Sequence, residues 1–112
     1  MIRASPFEIH SVLEGEEARL TLSGELDLAT VPRVEEAVAS VLARGARRIV
    51  VDLSRLAFVD SSGLRMFITL TERTATEGWT LGLIRPSQPS LSVFEITGAE
   101  RNLPFIDDPS SP

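Results

Sequence analysis

The sequence predicts an α/β fold, a mixed β-sheet with helices packed on it, from three observations. Two adjoining N-terminal segments alternate apolar and polar residues, as half-buried strands do. Beyond them, stretches with apolar residues at helical spacing take turns with short runs rich in β-branched residues. Glycines stand where the pattern changes, at Gly15, Gly45 and Gly78.

The elements follow in order. Phe7, Ile9, Ser11 and Leu13 mark one face of a first strand, and Ala18, Leu20 and Leu22 resume the alternation after a turn at Gly15. The pair reads as an antiparallel hairpin. Gly24, Glu25 and Asp27 break the pattern. Thr30 is the expected N-cap of a first helix, with Pro32 in its first turn and Glu35 and Glu36 near its positive end. Val34, Val38, Val41 and Leu42 form its buried stripe, and Arg44 and Gly45 close it. Arg48 to Leu53 reads as a central strand. Leu56-Ala57-Phe58-Val59 leads into Asp60-Ser61-Ser62-Gly63, which opens a second helix running on from Leu64. Leu64, Phe67, Ile68 and Thr71 are expected on its inner face, with Arg65, Glu72 and Arg73 pointing elsewhere, and Gly78 ends it. Trp79 to Ile84 forms a further strand. Ser90 caps a short third helix through Thr97, carrying Leu91, Phe94 and Glu95, with Gly98 just past its end. Pro104-Phe105-Ile106 adds a brief edge strand. The polar, proline-rich 107–112 tail is expected to be mobile, leaving about 7–106 folded within a single 1–112 domain.

Composition removes several classes of function. At 112 residues, 43% hydrophobic and 24% charged, the chain has room for one domain with a real core. A net charge of −5 is unsuited to a phosphate backbone, so no nucleic acid is expected. No apolar run approaches the roughly eighteen residues of a membrane span, and the first residues do not read as a secretory signal. These features are compatible with the cytoplasm. With no cysteine there is no thiolate chemistry, and all eleven basic residues are arginine, so a Schiff base and a P-loop lysine are excluded. His10 is the one histidine, and a metal or a catalytic triad would have to be built around it. A half-exposed strand residue is the simpler reading, and no metal or cofactor is expected.

Asp60-Ser61-Ser62-Gly63-Leu64 stands where a strand-to-helix loop becomes a helix N-terminus. The first amides of a helix lack internal partners and its dipole is positive there. Small hydroxyl residues cap such a terminus, and a phosphate is welcome at it. A phosphoserine would add roughly −1.5 to −2 charges, enough to redirect a docking surface without touching the core. On its own the motif is a good helix start and little more.

Its context is a resemblance. Gly24-Glu25-Leu26-Asp27, Ile49-Val50-Val51-Asp52-Leu53-Ser54, Phe58-Val59-Asp60-Ser61-Ser62-Gly63-Leu64 and Val93-Phe94-Glu95-Ile96-Thr97-Gly98 resemble, in order, the blocks of the STAS domain. More narrowly they resemble the bacterial anti-sigma factor antagonists, over about Phe7 to Ile106. The resemblance implies a STAS fold and a binding protein rather than an enzyme. It implies an anti-sigma factor partner that is itself a serine kinase of the GHKL type, held by the unphosphorylated antagonist so that a sigma factor is freed. Phosphorylation of Ser61, rather than Ser62, would release the kinase, and a separate serine phosphatase would reset the switch. The implied partner surface comprises Asp27, Asp60, Ser61, Ser62, Gly63, Leu64 and Arg65. For Asp27 the chemistry of a helix-entry turn is an equal account. Arg65 would pair with a phosphate on Ser61, or stand as a solvated surface arginine. Many members of the family continue into a C-terminal helix where this chain has its polar tail, which leaves the oligomeric state open.

Two other readings remain at this point. One is a STAS subunit of a lipid-transport or scaffold complex that is never phosphorylated. The other, more distant, is a small hydrolase, which would need a base beside Ser61 or Ser62 and has only His10 to offer.

Overall fold

Alternating residues at the N-terminus form the expected hairpin: β1 (Glu8–Glu14) and β2 (Glu17–Leu26) pair antiparallel about Gly15, whose φ is +61°. The computed structural model describes residues 6–87, 98 and 101–109. Its further elements are α1 (Val31–Ala43), β3 (Arg48–Val59), α2 (Ser61–Glu77), β4 (Thr80–Ile84) and β5 (Phe105–Ile106). The strands lie in chain order in one mixed sheet, with β2, β3, β4 and β5 mutually parallel. The expected helix over Ser90–Thr97 lies outside the described residues.

Burial follows the strand period on β2, where Ala18, Leu20, Leu22 and Leu26 are fully buried. They join Ile49, Val51, Leu53 and Leu83 in one core with Val34, Val38 and Val41 of α1 and Leu64, Phe67 and Leu70 of α2. Both helices therefore cover the same face. Each such side chain larger than alanine contributes on the order of 1.5–3 kcal/mol by leaving water. Among the described residues, no helix is long and apolar enough to cross a membrane.

Three expectations need correction. Gly24 does not break β2, which continues to Leu26. Its φ of +89° and the close crossing of the preceding chain require glycine, since a Cβ there would stand 2.5 Å from the Pro6 carbonyl oxygen. On α2, Ile68 is 37% exposed, while Met66 and Leu70 are buried. The buried arc is centred on Met66, Phe67 and Leu70 and leaves Ile68 at its edge. Thr30 occupies the N-cap position of α1 but makes no side-chain cap, and Glu35 and Glu36 fall beyond the first turn.

β3 is longer than the apolar run Arg48–Leu53 suggests, because it carries two bulges. Thr21 and Ser23 of β2 face Asp52 and Arg55, and Gly24 and Glu25 face Leu56 and Phe58. Each step gives β3 one extra residue and flips the side chains that follow. Leu53, Leu56 and Val59, spaced by three, thus all point into the core.

The other face of the sheet is polar where it is most open. Its most connected feature is Arg19 on β2, which donates to buried Asp52 on β3 at 2.9 Å and to Asp108 at 3.0 and 3.2 Å. Asp52 also accepts from the Ser54 amide (2.9 Å) and hydroxyl (2.6 Å). Hydrogen bonding to Asp108 above all, and to Asp52, pushes the Arg19 pKa up against the opposing effect of its partial burial. The segment after Ile106, expected to stay unpacked, contributes Asp108 to this cluster.

Candidate functional site

Asp60 is the N-cap of α2, in an extended conformation (φ −105°, ψ −175°). Its Oδ1 accepts from the amides of Ser62 (2.8 Å) and Gly63 (3.1 Å), so one carboxylate oxygen satisfies two of the helix's orphan donors. The helix begins at Ser61 rather than at Leu64. Ser61 is exposed, and its hydroxyl makes no hydrogen bond among the described residues. Ser62, next in the chain, is half-buried.

Gly63 and Leu64 play a different part. Gly63 is buried, and a Cβ on it would stand 2.8 Å from Val59 Cγ2 and 2.9 Å from Leu26 Cδ2. Leu64 is only 6% exposed. Both seat the first turn of α2 on the sheet instead of facing solvent. Arg65, four residues on from Ser61, is exposed and makes no ion pair among the described residues. That spacing places it on the same side of the helix as Ser61.

The turn into α1 lies alongside. Asp27 Oδ1 accepts from the amides of Ala29 (3.0 Å) and Thr30 (3.2 Å), and its backbone carbonyl accepts from Val31 (2.9 Å). Thr30 turns its hydroxyl back, accepting from the Asp27 amide (2.9 Å) and donating to the Glu25 carbonyl (3.0 Å). With its hydroxyl engaged in this turn, and with Pro32 offering no N–H, Thr30 supplies no side-chain cap to α1. Helix-entry turn chemistry is therefore what Asp27 performs within the chain.

This turn lifts Leu28 into solvent, 75% exposed. Between the two helix starts runs a groove of about 210 Å³ whose lining includes Leu28, Val31, Ser62, Arg65 and Met66. Sequence reasoning passed over Leu28 and Met66. The available signal was a large apolar residue between Asp27 and Thr30, in a turn that otherwise carries small or polar side chains.

The single histidine, His10, is on β1 opposite Thr21, on the face of the sheet away from the helices. The histidine that a hydrolase reading would call on therefore lines a different groove from Ser62. What the site offers is a surface: an exposed hydroxyl, an arginine and an exposed leucine.

Known proteins resemble this chain closely enough to compare. A family model described as "Mlab, STAS domain" matches residues 9–106. The anti-sigma-B factor antagonist of Staphylococcus aureus is 34% identical over 77 residues, covering 69% of this chain and 71% of that protein. Among solved structures, an anti-sigma factor antagonist from Mycobacterium paratuberculosis superposes with a TM-score of 0.75 at 23% identity, covering 93% of this chain and 88% of that one. The unphosphorylated antagonist SpoIIAA gives 0.72 at 22% identity, covering 94% and 90%. SpoIIAA in its phosphorylated form, described as a Bacillus cell fate determinant, gives 0.67 at 22%, covering 94% and 93%. These structures share the fold.

Proposed function

The chain belongs to the STAS domain family, among the anti-sigma factor antagonists, and on that premise we propose that it binds an anti-sigma factor and frees a sigma factor. Such an antagonist works by binding and not by turnover. The anti-sigma factor is a serine kinase of the GHKL type, and it ends the interaction by phosphorylating Ser61. A serine phosphatase restores the binding form.

One observation carries this reading: the exposed, unbonded hydroxyl of Ser61 stands at the first position of a helix whose cap is already supplied by Asp60. A phosphate can be added there without displacing any internal hydrogen bond. The helix dipole tolerates its charge, and Arg65 one turn on pairs with it. The added charge faces the partner beside Leu28 and Ser62 and opposes an apolar contact. Asp27, Asp60, Gly63 and Leu64 hold this surface in shape, Asp27 by fixing the turn into α1, Asp60 by capping α2 and the last two by packing.

The test is an intact-mass measurement after incubation with the cognate kinase and ATP. Wild type gains one phosphoryl group and Ser61→Ala gains none. Ser61→Asp binds the kinase more weakly than wild type while its stability stays within about 0.5 kcal/mol, as for an exposed site. Labelling that survives Ser61→Ala and disappears only in Ser62→Ala moves the switch to Ser62. Copurification with an ATP-binding cassette subunit instead of a kinase overturns the assignment in favour of a lipid-transport or scaffold role.

A further inference from the structure

The face of the sheet opposite the helices holds a second groove, of about 460 Å³, lined by Glu8, Ile9, His10, Thr21, Ser23 and Arg55. Strand register assembles it. Glu8 lies opposite Ser23 and Ser23 opposite Arg55; His10 lies opposite Thr21 and Thr21 opposite Asp52. Neighbouring strands are about 4.8 Å apart, so these side chains form two adjacent rows. The bulge between Asp52 and Arg55 puts Arg55 in the row with Ser23, on this face.

The groove is rich in donors. The carboxylate nearest Arg55 in the chain, Asp52, is engaged by Arg19 and Ser54. Arg55 makes no ion pair among the described residues, so its guanidinium is available to a ligand. Its planar fork matches two oxygens of a phosphate. The hydroxyls of Ser23 and Thr21 stand on the adjacent strand, and His10 adds an N–H one strand further. Glu8 is the one carboxylate in the lining, an acceptor for which an alcohol is a suitable donor. Two strand spacings separate Arg55 from His10, roughly 10 Å, the reach of a phosphate with a short polyol attached.

We propose that this groove binds a small soluble phosphate monoester of a hydroxylated carbon chain, its phosphate on Arg55, Ser23 and Thr21 and its hydroxyls toward Glu8 and His10. This site is independent of Ser61: it lies on the opposite face of the sheet and uses none of the residues of the helix starts.

The test is a titration of the full-length, isotopically labelled chain by two-dimensional amide NMR, at constant ionic strength. The probes are inorganic phosphate and glycerol 3-phosphate, with sodium chloride as the control. The expected result is saturable shifts at His10, Thr21, Ser23 and Arg55, with glycerol 3-phosphate tighter than phosphate. Arg55→Gln weakens both about tenfold, the effect of losing one good charge-assisted contact. Glu8→Gln narrows the gap between the two probes. Both substitutions are at exposed positions, and an otherwise unchanged spectrum establishes that each variant is folded. Shifts that chloride reproduces, that never saturate, that map to the α2 start, or that persist unchanged in folded Arg55→Gln overturn the proposal.

Discussion

The Asp60 amide donates to the Leu26 carbonyl at 3.1 Å, joining the residue that caps α2 to the residue before the turn into α1. Asp60 thus works in both directions, its backbone toward β2 and its carboxylate toward Ser62 and Gly63. Asp60→Ala removes the side-chain cap and is expected to cost about 1 kcal/mol, with Asp60→Asn costing less because the amide oxygen can still accept. Chemical denaturation followed by the fluorescence of Trp79, the only tryptophan, measures both.

Gly63 tests how tightly that first turn is seated. In Gly63→Ala the new methyl meets Val59 and Leu26 side chains inside 3 Å, in a buried position. Helix propensity favours alanine by up to about 1 kcal/mol, but overpacking costs about 1–3 kcal/mol. Net destabilisation is expected, and the shift of the denaturation midpoint reads it. A variant more stable than wild type would show that Leu26 and Val59 yield at little cost.

The Arg19 cluster should respond asymmetrically. Asp52 is buried, whereas Arg19 and Asp108 keep 30% and 31% of their side-chain surface. Arg19→Ala leaves the Asp52 carboxylate with Ser54 alone and is expected to cost about 2–3 kcal/mol. Asp108→Ala leaves Arg19 paired with Asp52 and should cost under about 1 kcal/mol. Equal losses in the two variants would mean that the burial of Asp52 is not what matters.

Glu77 supplies a pH dependence. It accepts from Arg73 Nε (2.9 Å) and Nη2 (3.0 Å) and from Trp79 Nε1 (3.0 Å). The bonds from Arg73 first, and from Trp79 second, hold its carboxyl below the usual carboxylate range. A depressed folded pKa gives stability that is present above the unfolded glutamate value, about 4.3, and is lost as pH falls through the folded one. Trp79 fluorescence should therefore change on acidification below about pH 4.3. In Glu77→Gln this part of the acid response is absent, whereas a profile identical to wild type would assign the change to another group.

Much of the fold was legible because local pattern and local chemistry coincide in it. The hairpin about Gly15, the buried stripe of α1, the stop at Gly78 and the edge strand at Phe105–Ile106 all follow from periodicity and turn residues. The start of α2 was legible in part. Asp60-Ser61-Ser62-Gly63 reads as a helix entry, yet nothing local separates the exposed Ser61 from the buried Gly63 and Leu64.

The amino-acid sequence by itself determined the order of the described elements, the family and the residue types at the two helix starts, since these rest on short-range spacing and on motif. Tertiary structure alone decided which side chains meet. The bulges of β3 exist only relative to β2, so no window of sequence reveals that Leu53, Leu56 and Val59 share the core while Arg55 joins Ser23 and Glu8 on the other face. Nor does spacing bring the turn into α1 beside the start of α2. The Leu26–Asp60 bond does that, between residues far apart in the chain and adjacent only when the sheet has formed.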